Sequence, residues 1–152
     1  MTKHLAFRPA DPRLRVLGNK PVAAKGEYVL YWCQIQRRGE DNAALAYAIE
    51  QANELGLPVL VYEAVRPDYP FASDRFHTFL LESARDTAAA LEARGVRHAF
   101  FLPRTKDEAR GVVHKLTARA ALVVSDDYPT FLMPEHNAAA AARCPCPYIV
   151  VG

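Results

Sequence analysis

One pattern recurs along the chain and limits the folds open to it: a short apolar run, a polar turn, and then helical spacing. In its first copy, the apolar run Tyr28–Cys33 precedes an arginine-rich turn, and an alanine-rich segment opens at Asp41–Asn42. Apolar runs of about four to eight residues are typical of buried strands, whereas apolar residues three and four apart are typical of helices. The pattern therefore predicts a strand–loop–helix unit that the rest of the chain repeats.

The repeats predict five strands and four helices. The strands are expected at Tyr28–Cys33, Leu57–Glu63, Val96–Leu102, Ala121–Ser125 and Tyr148–Val151. The helices are expected at 42–55, 73–94, 105–119 and 134–143, with a capping box at Thr105–Glu108 opening the third. Alternating strands and helices indicate right-handed βαβ crossovers. The predicted fold is α/β: a Rossmann-like, doubly wound, five-stranded parallel sheet of order 3-2-1-4-5 with helices on both faces.

The first 26 residues have a different character. Prolines and glycines interrupt them, and they carry six Lys or Arg against one acidic residue, Asp11. They predict an extended basic N-terminal arm with a short ordered piece at Leu14–Leu17, followed by one α/β domain over residues 27–152. That domain holds the remaining 13 basic and 16 acidic residues of the totals 19 and 17, a net charge of −3. It therefore has no surplus charge for gripping nucleic acid.

The sequence argues against a membrane protein, a secreted protein and a small disulfide-stabilised scaffold. No apolar run is long enough to span a membrane, and the N-terminus lacks the apolar core of a signal peptide, so a cytoplasmic protein is expected. The three cysteines are Cys33, Cys144 and Cys146. An odd count without framework spacing argues against a disulfide scaffold, and Cys144-Pro-Cys146 is not a C-x-x-C motif. Buried or loop thiols are the simpler interpretation of all three.

The unequal connections indicate where a ligand would bind. The strand-to-helix connections are long (Gln34–Asp41, Ala64–Ala72 and Asp126–Met133), while the helix-to-strand turns are minimal. Open parallel sheets bind ligands outside the carboxyl ends of their strands, where the strand order reverses. With order 3-2-1-4-5, the loops Gln34–Asp41 and Asp126–Met133 would form that crevice.

The crevice residues do not identify a chemistry by themselves. The sequence has no G-x-G-x-x-G, no P-loop and no G-x-S-x-G, which leaves phosphate binding and hydrolase chemistry unsupported. Asp126-Asp127 fits a cation, or more simply a solvated loop or helix cap. Arg37-Arg38 fits an anion or an ordinary surface pair. Trp32 and Tyr31 fit stacking on a flat ligand or core packing, and no catalytic or metal-binding set is expected.

Several short motifs occur together: Tyr28-Val29-Leu30-Tyr31-Trp32, then Gln36-Arg37, then Asp41-Asn42 with Ala44-Leu45, preceded by Arg13–Leu17 in the arm. This combination resembles class II cyclobutane-dimer DNA photolyases. Leu57-Pro58-Val59 and the segment Phe76–Leu80 fit the same family, although the first fifty residues are the specific part.

The resemblance implies that this is the N-terminal α/β domain of such a photolyase, a lyase that repairs UV-induced pyrimidine dimers in DNA with light. In that family an antenna chromophore, a deazaflavin or a folate, sits beside this domain. The catalytic FAD and the DNA lesion belong to a C-terminal helical domain, which would lie outside these residues. The chain alone is therefore expected to be inactive.

The resemblance and the loop argument together predict a set of cofactor-binding residues: Trp32, Cys33, Gln34, Gln36, Arg37, Asp126, Asp127 and Tyr128. The expected partner is the C-terminal FAD-binding domain, and DNA is expected to bind only through the full-length protein. The alternative is a stand-alone Rossmann-like nucleotide-binding or protein-interaction module on the same fold. The missing glycine-rich phosphate loop weighs against nucleotide binding.

Overall fold

The structure is a computed structural model that describes residues 11–152. Its strands are β1 (Leu14–Gly18), β2 (Tyr28–Cys33), β3 (Val59–Ala64), β4 (Arg97–Phe101), β5 (Ala120–Asp126) and β6 (Tyr148–Val151). Its helices are α1 (Ala43–Leu55), α2 (Asp74–Glu92), α3 (Lys106–Ala109), α4 (Val112–Thr117) and α5 (Met133–Arg143). The strands form one six-stranded sheet in the order β1-β6-β5-β2-β3-β4.

The five predicted strands pair in parallel and in the predicted order, with β2 at the centre between β3 and β5. The predicted α/β class is therefore confirmed. The predicted count of five strands is wrong by one, because β1 adds an antiparallel edge strand beside β6, with Leu14 opposite Val151. An edge strand pairs on one side only and needs no continuous apolar run, so its sequence pattern is weak. Residues 1–10 of the predicted arm lie outside the described residues.

Local signals explain where α1 and α2 begin and where α1 ends. The side chain of Asn42 accepts from the Leu45 N–H, and that of Ser73 accepts from the Phe76 N–H, so each caps a helix N-terminus. Gly56 ends α1 in the left-handed conformation, with φ of 68°. These boundaries agree with the predicted ones to within a residue or two.

The single helix predicted over 105–119 is wrong. Thr105 caps α3 as expected, and the Glu108 carboxylate reaches back to the Arg104 N–H at 2.7 Å. Gly111 then adopts φ of 76°, outside the helical region, and a separate helix, α4, starts after it. A glycine that can take a positive φ at little cost breaks the segment into two short helices.

Two apolar clusters lie on opposite faces of the sheet. The first packs α1 and the end of α2 against Val29, Tyr31 and Cys33 of β2. The second packs α4 and α5 against the alternate residues Tyr28 and Leu30 of β2. This alternation is what a central strand buried on both faces requires. Among residues 11–152, no helix combines the length and apolarity needed to cross a bilayer.

Candidate ligand-binding site at the strand ends

The strand order reverses between β2 and β5, so the loops that follow them meet above the sheet. We call the loops 34–42 and 127–132, together with the last residues of β2 and β5, the strand-end site. Hydrogen bonds from Gln34 to Ser125 and Asp126 join the two halves, although 91 and 92 residues separate the partners. The two loops predicted to form a crevice therefore contact each other, as the topology requires.

The Asp126 carboxylate organises this site from inside the protein. One oxygen accepts from the backbone N–H groups of Gln34, Ile35 and Gln36 at 2.9, 2.7 and 3.1 Å. The other accepts from the Tyr31 hydroxyl at 2.7 Å. Three successive N–H groups converging on one oxygen form the kind of concavity that binds anions. Here the chain fills it with its own carboxylate. The prediction that Asp126 solvates a loop is wrong, because the residue ends β5 and is 1% exposed.

Two groups beside Asp126 are held in their protonated forms. Burial, and then the negative charge of Asp126, raise the pKa of the Tyr31 hydroxyl. The same two causes raise the pKa of the Cys33 thiol to about 12. Cys33 donates to the Gln36 carbonyl at 3.4 Å. Both side chains therefore act as hydrogen-bond donors that fix the loop, and neither is available as a nucleophile or base at neutral pH.

A chain of buried amides and hydroxyls connects the site to α5. The Gln34 side chain donates to the Ser125 hydroxyl and to the Asn137 carbonyl oxygen, both at 2.9 Å. The Asn137 amide in turn donates to the Asp126 backbone carbonyl, and its oxygen accepts from the Tyr148 hydroxyl at 2.8 Å. Each of these polar groups is satisfied by the protein itself, so the network specifies the loop conformation.

A second buried carboxylate, Glu63 at the end of β3, holds the other side of the loop. It accepts from Arg37 at 2.8 Å and lies 3.0 Å from the His98 ring nitrogen. Burial opposes ionisation of Glu63, but the His98 hydrogen bond and the Arg37 charge outweigh it and lower the pKa of the carboxyl. The Arg37 guanidinium also donates to the Ala64 carbonyl at 2.9 Å. Arg37 therefore anchors the loop to β3 and is not offered to solvent.

The remaining predicted residues lie nearer the surface. Asp127 is paired with Arg15 of β1 at 2.6 Å, which ties the edge strand to the loop after β5. Trp32 is partly buried and packs against the second cluster. Tyr128 is 42% exposed. Trp32 and Tyr128 are thus the aromatic side chains of the predicted set that retain accessible surface.

Large apolar side chains are exposed around the same end of the sheet. They follow strand ends or lie in the first half of α2: Ile35, Phe71, Phe76, Phe79, Leu81, Leu102, Tyr128, Phe131 and Leu132. Tyr69 also lies here, with its ring centroid 5.7 Å from that of Phe71 and 5.8 Å from that of Phe76. Exposed apolar side chains concentrated in this way mark a surface that contacts something else.

An open groove adjoins the end of the loop 34–42, between the start of α1 and the end of α2, and residues 39–42 form part of its wall. Its wall includes Ile49 and Val96, and Arg94 lies along it. Arg94 is already bonded to the Gly39 carbonyl and to Glu40, both at 2.6 Å. The groove therefore presents a partly apolar surface crossed by an ion pair, and it shares Asp41 and Asn42 with the loop that the sequence singled out.

The structure brings Gln34, Gln36 and Asp126 together, while the side chains of Cys33 and Arg37 point into separate internal bonds. Sequence reasoning missed three polar residues that build the site. Ser125 immediately precedes the Asp126-Asp127 pair, Asn137 is the one amide in an alanine-rich helix, and Glu63 is an acid closing an apolar strand. Each was visible as a polar residue in an apolar context, which is a signal for a buried hydrogen-bonding role. Residues 11–152 contain no cluster of three or more potential metal ligands.

Comparisons with known proteins add the family context. The family model described as DNA photolyase matches residues 29–145. The deoxyribodipyrimidine photo-lyase of Methanothermobacter thermautotrophicus is 37% identical over 114 residues, which are 75% of this chain and 25% of that protein. The chain therefore spans about a quarter of the length of this curated relative.

Solved structures show a similar fold in smaller proteins. A universal stress protein from Archaeoglobus fulgidus matches with a TM-score of 0.54 and 17% identity, over 84% of this chain and 95% of that one. A structure of the universal stress protein from the same organism in complex with dAMP matches with a TM-score of 0.50 and 18% identity, over 82% and 98% of the two chains. At these identities the likeness concerns the fold.

Proposed function

The chain belongs to the DNA photolyase family, and we propose that it is the antenna-chromophore-binding N-terminal domain of a deoxyribodipyrimidine photolyase. Residues 27–152 form the α/β domain, and residues 1–26 form a basic arm whose described part adds β1 to the sheet. The bound chromophore is a deazaflavin or a folate at the strand-end site. The complete protein works in the cytoplasm and repairs UV-induced pyrimidine dimers.

The observation that carries this proposal is the chemistry of the strand-end surface. The polar groups of Gln34, Ser125 and Asp126 beneath it are bonded within the protein, and the accessible residues directly above them include the aromatic and apolar Trp32, Ile35 and Tyr128. Such a surface favours binding of a flat, conjugated ligand, because aromatic rings stack on the ligand and bury apolar area. A nucleotide phosphate gains least, since the loop N–H groups that would hold it already bind Asp126.

The exposed apolar side chains around this site support a partner in the same polypeptide. The relative from Methanothermobacter is about four times as long as the matched segment. We propose that a C-terminal FAD-binding domain covers part of this surface and encloses the chromophore. FAD and the DNA lesion are then held by that domain, and residues 27–152, with their net charge of −3, lack the positive field that attracts DNA.

Trp32 provides a direct test, because it is the single tryptophan of the chain. Titrating a deazaflavin, and separately a folate, into the protein should quench tryptophan emission with a saturable isotherm. Quenching is expected because the ligand would lie against or near the indole. Binding to residues 1–152 alone is expected to be weak, since part of the wall would belong to the proposed C-terminal domain.

Paired variants locate the ligand. Tyr128→Ala should weaken binding by about three- to tenfold, the loss of one aromatic contact. Phe79→Ala removes an aromatic residue that is 66% exposed on α2 and should leave the dissociation constant unchanged. Equal effects of the two substitutions, or saturable quenching by AMP but by neither chromophore, would contradict the proposal. The AMP result would favour the alternative of a stand-alone nucleotide-binding module.

A repair assay tests the proposal that residues 1–152 alone do not reverse pyrimidine dimers. The chain is mixed with FAD and an oligonucleotide containing a pyrimidine dimer, and the mixture is exposed to blue light. Dimer content should match that of the control without protein, because the flavin that performs the repair chemistry is proposed to bind the C-terminal domain and not residues 1–152. Dimer reversal above that control would show that the chain is active alone.

A further inference from the structure

Two thiols lie side by side at the opposite end of the sheet from the proposed chromophore site. Cys144 caps the C-terminus of α5, and Cys146 follows it in the turn that leads into β6. Their sulfur atoms are 3.4 Å apart, and both residues are fully buried. Pro145, between them, is exposed, so the turn that carries both cysteines reaches the surface.

We propose that Cys144 and Cys146 are a reversible redox site, which hydrogen peroxide oxidises to an intramolecular disulfide. The sulfurs must approach by about 1.4 Å to reach the disulfide bond length of about 2.05 Å. Residues two apart are at most about 7 Å apart at their Cα atoms, close to the upper limit of the range that disulfides span. Rotation of the side chains with a small adjustment of the turn can therefore close the bond.

The environment of the pair selects which sulfur reacts first. The hydrogen bond between the two thiols outweighs burial and, aided by the Cys146 backbone N–H and the positive charge of Lys20, lowers the pKa of Cys144. The ammonium group of Lys20 contacts the Cys144 carbonyl, which keeps that charge beside the thiol. The same hydrogen bond, together with burial, raises the pKa of Cys146. Cys144 is therefore the nucleophile and Cys146 is the resolving thiol.

The chemistry balances in two steps. The Cys144 thiolate attacks one peroxide oxygen, the O–O bond breaks, and the departing hydroxide takes a proton to become water. The Cys146 sulfur then attacks the resulting sulfenic sulfur, the S–O bond breaks, and a second water leaves with the Cys146 proton. Two thiols and one peroxide thus yield one disulfide and two waters, a transfer of two electrons.

The size of the closed loop indicates that the bond is reversible. Cross-linking residues only two apart removes little entropy from the unfolded chain, so it stabilises the fold weakly. A bond that stabilises little, and that requires the turn to tighten, has a more oxidising potential than a structural disulfide. Cellular thiols can therefore reduce it again, as expected of a redox-responsive site rather than a structural one.

The chain supplies a matched internal control in Cys33. That thiol is also buried, but it donates to a backbone carbonyl, and burial with the charge of Asp126 raises its pKa to about 12. Trypsin places Cys33 and the Cys144–Cys146 pair in different peptides. Arg143 is the last basic residue, so residues 144–152 form one peptide. The experiment treats the folded protein with hydrogen peroxide, alkylates the remaining thiols and measures both peptides by mass.

The expected result is loss of two hydrogen atoms from the peptide 144–152, about tenfold or more faster than any modification of Cys33. Treatment with a small thiol should restore the alkylation of both cysteines. Cys146→Ser should trap a sulfenic acid on Cys144 that dimedone labels, and Cys144→Ser should leave Cys146 unmodified. Cys33→Ser should change neither the rate nor the product.

Three results would overturn the proposal. The first is alkylation of all three cysteines at equal rates after peroxide treatment of the folded protein. The second is an equally fast disulfide in protein unfolded in urea, which would show that sequence proximity alone suffices. The third is irreversible oxidation of Cys144 to the sulfinic acid in wild-type protein, which would show that Cys146 does not resolve the intermediate.

Discussion

At the carboxyl ends of the parallel strands three of the four connections are long, whereas at the amino ends all four are short. The long connections are 34–42, 65–73 and 127–132, the fourth carboxyl-end connection is 102–105, and the amino-end connections are 56–58, 93–96, 118–119 and 144–147. Two buried carboxylates, Asp126 and Glu63, bind the loop 34–42 to the sheet. Two of the short turns instead use glycines with positive φ, Gly56 and Gly95.

The two ends also differ in what they present to solvent. Every large apolar side chain found exposed among residues 11–152 belongs to the carboxyl end or to the first half of α2. The short turns at the amino end contribute none. Among residues 11–152, the carboxyl end therefore combines buried hydrogen bonds to the loop 34–42 with exposed large apolar side chains, whereas the amino end has neither. When the polar groups of a loop are hydrogen-bonded to buried residues of the sheet, its apolar side chains can face solvent. Such side chains are available to contact a ligand or a further domain.

The largest effect is expected from removing the acceptor at the centre of the carboxyl end. Asp126→Ala leaves three backbone N–H groups and the Tyr31 hydroxyl without their partner. We expect the free energy of unfolding to fall by about 4 kcal/mol or more, because buried donors that lose their acceptor keep their full desolvation cost. Urea unfolding followed by circular dichroism measures this change.

Two further variants make that prediction decisive. Asp127→Ala removes the neighbouring carboxylate, which is paired with Arg15 at the surface, and should cost less than about 1 kcal/mol. Asp126→Asn keeps one acceptor oxygen and should cost less than Asp126→Ala. If Asp126→Ala and Asp127→Ala lower the free energy of unfolding equally, Asp126 does not stabilise the loop 34–42. The contrast between the two ends of the sheet is then wrong.

The next effect comes from Glu63, the other buried carboxylate of the carboxyl end. Glu63→Gln keeps the shape but leaves the Arg37 guanidinium without its counter-charge. We expect a loss of about 3 kcal/mol at pH 7, in the range for breaking a buried ion pair by changing one partner. His98 loses its charged acceptor in the same variant.

The pH dependence sharpens this prediction. The folded-state pKa of Glu63 is lowered, so the carboxylate stabilises the fold at pH values above its unfolded pKa of about 4.5. That contribution is lost as the pH falls through the lower folded-state pKa. The difference in unfolding free energy between wild type and Glu63→Gln should therefore be constant near neutral pH and shrink below about pH 4.5. A difference that grows on acidification would contradict the assigned direction.

Local patterns predicted most of the framework because its determinants are local. The cap at Asn42, the stop at Gly56 and the apolar run of β2 each act over a few residues, and all three lie where the sequence indicates. The same locality explains the error over residues 105–119, where apolar spacing continues past Gly111 but the backbone does not. Spacing describes which face is apolar, and it does not report a glycine that leaves the helical conformation.

The internal bonds of the candidate site were beyond sequence reasoning for a physical reason. Asp126 finds its donors about 90 residues earlier in the chain, and Arg37 finds Glu63 on a neighbouring strand. Such pairs form only once the sheet is assembled, so no local pattern records them. The sequence located the loops correctly from their length. It did not show that Cys33 and Arg37 are used internally, while Trp32 and Tyr128 keep accessible surface.

The smallest effect is expected at the amino end, where backbone conformation replaces buried charge. Gly56 has φ of 68°, and a Cβ added there would meet no atom within 4 Å. Gly56→Ala should therefore cost about 1 kcal/mol, the penalty of the left-handed conformation alone. Gly56→Asn should cost less, because asparagine tolerates this conformation better than alanine. Urea unfolding of both variants beside Asp126→Ala completes the comparison. If Gly56→Ala lowers the free energy of unfolding as much as Asp126→Ala does, the two ends contribute equally to stability. Buried charge would then not distinguish the carboxyl end from the amino end.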